Sequence, residues 1–168
     1  LKLPNGLRQI REEAFYGCKK IESLTFPESL AVIEKNAFFN CVTIKSLFIP
    51  QNVQQIGYGA FSECSSLREI SVDSLNTKYD SRNDCNAIIE TYTNRLILGC
   101  RNTVIPQDVT IIGSAAFCCI KDLDYFVIPN GVTSIENDAF WNCTGMKEFY
   151  CYAETVPFTH QTAFNETT

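Results

Sequence analysis

Apolar residues return along this chain in a fixed order, and the order has a period of 23 residues. In its clearest copy the apolar positions are Leu24, Phe26, Leu30, Ile33, Ala37, Phe38, Cys41 and Ile44, with Pro27 after the first pair. The preceding copy runs Leu1, Leu3, Pro4, Leu7, Ile10, Ala14, Phe15, Cys18, Ile21, and the following one Leu47, Ile49, Pro50, Val53, Ile56, Ala60, Phe61, Cys64, Leu67. Two later copies pass through Ile105, Pro106, Val109, Ile112, Phe117, Leu123 and through Ile128, Pro129, Val132, Ile135, Phe140, Met146. A short constant period marks a protein of stacked units, each burying its apolar face only against its neighbours.

The alternation at Leu24-Thr25-Phe26 has period two and predicts a short strand with one buried face. Pro27 closes that strand, since proline brings no N–H to a ladder. The spacing Ile33, Ala37, Phe38, Cys41 is i, i+4, i+5, i+8 and predicts one or two turns of helix returning on the opposite side. The expected fold is therefore an α/β solenoid: a right-handed β-α superhelix of parallel strands with short helical or 3-10 returns.

One unit departs from the rule. Residues 70–102 keep a strand at Ile70-Ser71-Val72 but have neither the Pro nor the Ala-Phe pair. Turn formers at Tyr79-Asp80-Ser81-Arg82-Asn83-Asp84 are followed by Ala87-Ile88-Ile89-Glu90 and Leu96-Ile97-Leu98 around a polar Tyr92-Thr93-Asn94 tip. This predicts a β-hairpin in place of the helical return. The chain thus divides into regular coils over 1–69, an irregular coil over 70–102, regular coils over 103–148 and a degenerate last coil over 149–168, all in one domain. The sequence opens in register at Leu1, which is expected of a piece of a longer array.

A hydrophobic content of 45% supplies one core, and the net charge of −5 opposes nucleic-acid binding, which needs a basic footprint. No apolar run approaches the roughly 18 residues of a membrane span. Of nine cysteines, Cys18, Cys41, Cys64 and Cys143 share one repeat position, where Ile120 stands in the fifth unit. Ile neither ligates nor cross-links, so the position is an apolar core slot that a free thiol fills. Cys85 and Cys100 bracket the hairpin and leave room for a bridge; adjacent Cys118 and Cys119 lie at variable positions, which turns one of them outward.

Little here points to chemistry. The one histidine, His160, sits in the last coil away from any carboxylate in sequence. Asp80 to Asp84 has oxygens but neither the alternating spacing nor the glycine of a calcium loop, and turn formation explains it. No cofactor motif is present. Two Asn-X-Thr triplets, at Asn142 and Asn165, match the glycosylation pattern, and the first has a place in the repeat turn.

The phrases Leu24-Thr25-Phe26-Pro27 through Ala37-Phe38-Phe39-Asn40-Cys41, and Ile128-Pro129-Asn130-Gly131-Val132 through Ala139-Phe140 and Asn142-Cys143, resemble the BspA-like class of leucine-rich repeats. The interruption Tyr79 to Asn83 followed by Cys85 to Thr91, and the ending Cys151 to Pro157, resemble segments of cell-surface proteins from Bacteroides-type bacteria. The resemblance spans the chain. It implies an exported leucine-rich-repeat solenoid at the cell surface, an adhesin or host-interaction protein, with any lipid anchor in an N-terminal part outside this sequence. It carries no ligand of its own, because the repeat motif is a scaffold signature.

Function is then sought on the surface. Outward strand positions should be Lys2, Thr25, Phe48, Ser71, Val104, Val127 and Tyr150, flanked by Ser23, Ser46, Glu69, Asn102, Tyr125 and Glu148. Phe48, Val104, Tyr125, Val127 and Tyr150 are apolar or aromatic where water should face them. Such clusters mark binding surfaces, although the same residue types also favour strands for their own sake. The expected function is non-catalytic recognition of an extracellular protein or glycan through this face. The alternative is a structural spacer within a larger surface protein; the hairpin tip near Tyr92 is a candidate second contact point, although filling in for the missing helix accounts for the hairpin more simply.

Overall fold

A computed structural model describes residues 1–121 and 125–167. Leu123, the expected core residue of the fifth unit, lies outside the described residues. The chain is a β-solenoid, and its described residues form thirteen short strands: β1 (Gln9–Ile10), β2 (Val32–Ile33), β3 (Ser46–Ile49), β4 (Gln55–Ile56), β5 (Glu69–Val72), β6 (Tyr79–Asp80), β7 (Ala87–Glu90), β8 (Arg95–Gly99), β9 (Ile111–Ile112), β10 (Tyr125–Ile128), β11 (Ser134–Ile135), β12 (Glu148–Cys151) and β13 (Phe158–Thr159). Strands expected before the prolines pair in parallel as β3–β5 and β10–β12, with a lone Lys2–Thr25 bridge in the first two coils. A second set of two-residue strands, β1, β2, β4, β9, β11 and β13, is not expected from the sequence and follows the prolines. It forms the ladder β1-β2-β4 and joins the irregular coil's strands in the ladder β13-β11-β9-β8-β7-β6.

The expected helical returns are not there. A single 3-10 turn at Arg82–Asp84 is the only helical element among the described residues. Each return is instead a run of turns, and its hydrogen bonds show why. In the first coil Ala14, Tyr16 and Cys18 donate locally to Arg11, Glu13 and Phe15, three residues back. The residues between them, Glu13, Phe15 and Gly17, donate across to Lys35, Ala37 and Phe39 of the next coil at 2.8–3.1 Å. A helix needs every N–H for its own axis, whereas this return gives every second one to its neighbour. The geometry requires a left-handed residue at two points four apart, as at Asn36 and Asn40, Gly59 and Glu63, or Asp138 and Asn142. Gly, Asn and Asp reach that conformation most cheaply.

Inside the stack the aromatic rings form two columns. Phe15, Phe38 and Phe61 stack with centroids 5.0 and 5.3 Å apart, and Phe117, Phe140 and Phe164 at 5.2 and 5.1 Å. Phe26 and Phe126 meet these columns edge-on. The shared cysteine position is a core slot, as the repeat predicts, with an added role. The thiols of Cys41, Cys64 and Cys143 donate to the carbonyls of Phe15, Phe38 and Phe117 in the coil before, at 3.1, 3.4 and 3.0 Å. Burial pushes the Cys64 thiol up and that of Cys143 up to about 12, so both stay protonated donors.

The predicted hairpin is present as β7 and β8, with a register shift between Ile88 and Ile89. It separates two cores. Ile88, Leu98 and Cys100 pack into the N-terminal one, while Cys85, Ala87, Ile89 and Leu96 pack into the C-terminal one. Cys85 and Cys100 therefore feed opposite cores and are both free thiols, not a bridge. Cys118 is half-buried and Cys119 buried, so neither turns fully outward, and the exposed thiol is that of Cys151.

Polar side chains fix the hairpin to both stacks. The buried Asn76 donates to the carbonyls of Pro50 and Val53 and accepts from the N–H groups of Lys78 and Tyr79. The Tyr79 hydroxyl accepts from Ile56 N–H at the end of the β1-β2-β4 ladder. On the other side the Arg82 guanidinium forks onto Asp80 at 2.8 and 2.7 Å and reaches Asn94 and Asp108. The Asp80 carboxylate of this turn is thus engaged by a cation of the chain itself.

Candidate binding surface

Alternation along the short strands before the prolines decides which side chains face out. In β10, Phe126 and Ile128 are buried while Tyr125 and Val127 are exposed, and β3 repeats this with Leu47 and Ile49 against Phe48. The whole outward row expected from the sequence is exposed, including Phe48, Val104, Tyr125, Val127 and Tyr150. Val104 and Tyr125 stand out most, at 75% and 62% exposure.

These residues are not one patch. Val127 pairs with Tyr150 across the β10–β12 ladder, and Phe48 pairs with the polar Ser71 three coils earlier. Val104, Tyr125 and Val127 come together at a groove of about 500 Å3 between residues 101–107 and β10. The groove exists because no strand pairing joins those two segments among the described residues. Val104 N–H donates instead to the Cys85 carbonyl of the irregular coil. Pairing partners cannot be read from residue types, so alternation predicts the row but not the groove.

On its far side the surface ends at Tyr150, whose hydroxyl donates to Glu148 at 2.7 Å; that bond raises the phenol's pKa and holds it neutral. Beyond it, Phe149 and Tyr152 are also exposed, and Phe149 still leans edge-on against Phe140 and Phe164. Tyr92 at the hairpin tip is exposed and apart from the groove. His160 is a turn residue whose Nδ1 meets Thr162. Among the described residues no cluster of three or more His, Cys, Asp or Glu side chains is arranged to hold a metal, and no helix is long and apolar enough to cross a membrane.

The repeat, the turn returns and the surface can be set beside known proteins. Residues 1–93 and 88–168 match the BspA-type leucine-rich-repeat region in six copies. The chain belongs to this family. Among solved structures, a leucine-rich cell-surface protein from Faecalibacterium prausnitzii is similar at 29% identity, with a TM-score of 0.75 over 88% of this chain and 40% of that one. The pneumococcal vaccine antigen PcpA is similar at 21% identity and TM-score 0.72, over 88% of this chain and 46% of that one. A leucine-rich-repeat protein from Eubacterium ventriosum follows at 21% and 0.63, over 85% and 46%. The last two likenesses concern the fold alone. This BspA-type chain spans less than half the length of each of these structures. No protein of curated function matches it in sequence.

Proposed function

We propose that this BspA-type solenoid is a non-catalytic recognition module that works outside the cell, at the bacterial surface, and binds an extracellular protein or glycoconjugate through its strand face. The observation that carries this reading is the groove in which Val104, Tyr125 and Val127 present apolar surface to water, continued by Tyr150 on the next coil. Rigid aromatic side chains on a regular ladder give a large contact area at small entropic cost. The description of the Faecalibacterium relative as a cell-surface protein supports the location. Phe48 enters as an outlying contact for a ligand that extends across the coils.

The test is binding of the purified chain to immobilised matrix proteins and mucin glycans, beside the triple variant Phe48→Ser, Tyr125→Ser, Tyr150→Ser. Saturable binding that the variant loses, with its circular dichroism unchanged, supports the assignment. Binding that survives the variant places the contact elsewhere, and absence of binding to any such ligand favours the spacer role.

A further inference from the structure

On the return side, away from the strand face, the residue after each Ala-Phe pair forms a row of its own: Tyr16, Phe39, Ser62, Cys118, Trp141. Tyr16 and Phe39 stack at 5.0 Å, as neighbours in such a row should. The row then fails for a definite reason. Ser62 and Cys118 are too small to continue it, and the irregular coil between them has no Ala-Phe return at all. A cleft of about 270 Å3 results, with Phe39 and Trp141 both in its lining. Tyr58 stands beside them and donates its hydroxyl to Asp138 Oδ2 at 3.4 Å, linking the third coil to the sixth.

The lining joins three aromatic rings to two carboxylates, Glu63 and Asp138, and contains no lysine or arginine. Neither carboxylate has an ion-pair partner among the described residues. Ring faces carry negative potential and attract cations, most strongly at tryptophan, and nearby carboxylates add to that field. The volume falls just under the range of small-molecule pockets, which suits one side chain and not a whole cofactor.

We propose that this cleft binds a basic side chain, arginine or lysine, presented by a protein partner. It takes the cation between the Phe39 and Trp141 rings, with Asp138 and Glu63 as counter-charges. The site is independent of the strand face and stands whether or not that face binds anything.

Trp141 is the only tryptophan of the chain, so its fluorescence reports on the cleft without a label. The experiment titrates the protein with N-acetyl-arginine amide, with the neutral isostere N-acetyl-citrulline amide and with N-acetylglucosamine. Arginine amide is expected to give a saturable change in the millimolar range, and the two neutral probes none. Asp138→Asn with Glu63→Gln should weaken the arginine response by about fivefold or more, as should raising the salt from about 0.05 to 0.5 M. The triple strand-face variant should keep it. The proposal is overturned if citrulline amide does as well as arginine amide, if only the sugar binds, if no probe gives a response, or if the carboxamide variant binds arginine undiminished. Should the double variant fold poorly by circular dichroism, the salt titration and Asp138→Asn alone decide the matter.

Discussion

Replacing Phe38 by alanine removes the middle ring of the N-terminal column, and the cost can be worked from its surroundings. Phe38 is fully buried, stacked between Phe15 at 5.0 Å and Phe61 at 5.3 Å, with Phe26 edge-on at 5.7 Å. Losing the buried ring forfeits about 2 kcal/mol of transfer free energy. Stacked coils tied by hydrogen bonds on both sides cannot close the gap, so a residual cavity adds about 1–2 kcal/mol. The lost aromatic geometry adds about 1 kcal/mol. The expected total is about 4 kcal/mol, which lowers the urea midpoint by about 2 M for a slope near 2 kcal/mol per M. Far-UV circular dichroism follows the whole stack, while Trp141 fluorescence follows the C-terminal half. Because the hairpin packs into both cores, the two probes should shift together. Phe48→Ala, on the exposed strand face, should move the midpoint by less than about 0.5 kcal/mol equivalent. A loss below about 1 kcal/mol for Phe38→Ala, or equal losses for both variants, would refute the ring column as the core of the coil.

Gly99→Ala places a Cβ 2.0 Å from Phe117 Cε1 and should sharply lower the melting temperature and soluble yield, while Gly6→Ala, with nothing within 4 Å, should not. Arg82→Ala unties Asp80, Asn94 and Asp108 together, and should cost about 2 kcal/mol in urea titration, a value between exposed and buried pairs. Burial pushes the Asp80 carboxyl up, but bonds from Arg82 and Thr91 outweigh it and hold the group below the ordinary carboxylate value. A depressed folded pKa gives stability that is complete above the unfolded value, about 3.9, and is lost as pH falls through the folded one. The urea midpoint should therefore fall below about pH 4, less steeply in Asp80→Asn; Glu90, held down by Lys78 and Thr93, contributes to the same acid limb. In thiol titration of the native protein the exposed Cys151 should react first, and Cys41, Cys64, Cys85, Cys100 and Cys143, buried and raised in pKa, only on unfolding.

The core was legible because the repeat leaves no freedom at its apolar positions. Leu30, Ile33, Ala37, Phe38, Cys41 and Ile44, read from spacing alone, are all fully buried. The return was not legible, because spacings of four, five and eight fit a helix as well as a chain of turns. What separates the two is the destination of alternate N–H groups, and spacing says nothing of that. A clue was present in Gly17, Asn36, Asn40, Gly59, Asp138 and Asn142, all left-handed and placed four apart within a return where a pair occurs. The two-residue strands after the prolines were not legible either, because two residues are too few to show alternation. The outward row was legible and the groove was not, since the groove depends on a pairing that fails to form.

The irregular coil has consequences beyond its own residues. A uniform stack offers a continuous ladder on every side, with no concavity wider than the space between side chains. Here the hairpin replaces one Ala-Phe return, and Gly99 lies where the Phe117 ring packs, its N–H donating to the Ala116 carbonyl as Phe38 N–H does to Ala60. The core therefore stays closed, but the outer row on that side has lost a member. On the strand side the same coil draws Val104 N–H to Cys85, and the segment that follows no longer pairs with β10. Both concavities considered for binding thus flank the one coil that breaks the repeat. Substituting a regular 23-residue unit for residues 70–102 should close both, abolishing the arginine response of Trp141 and the strand-face binding together while the fold persists. If either survives that replacement, it arises from the regular coils and the irregular one serves only to join two stacks.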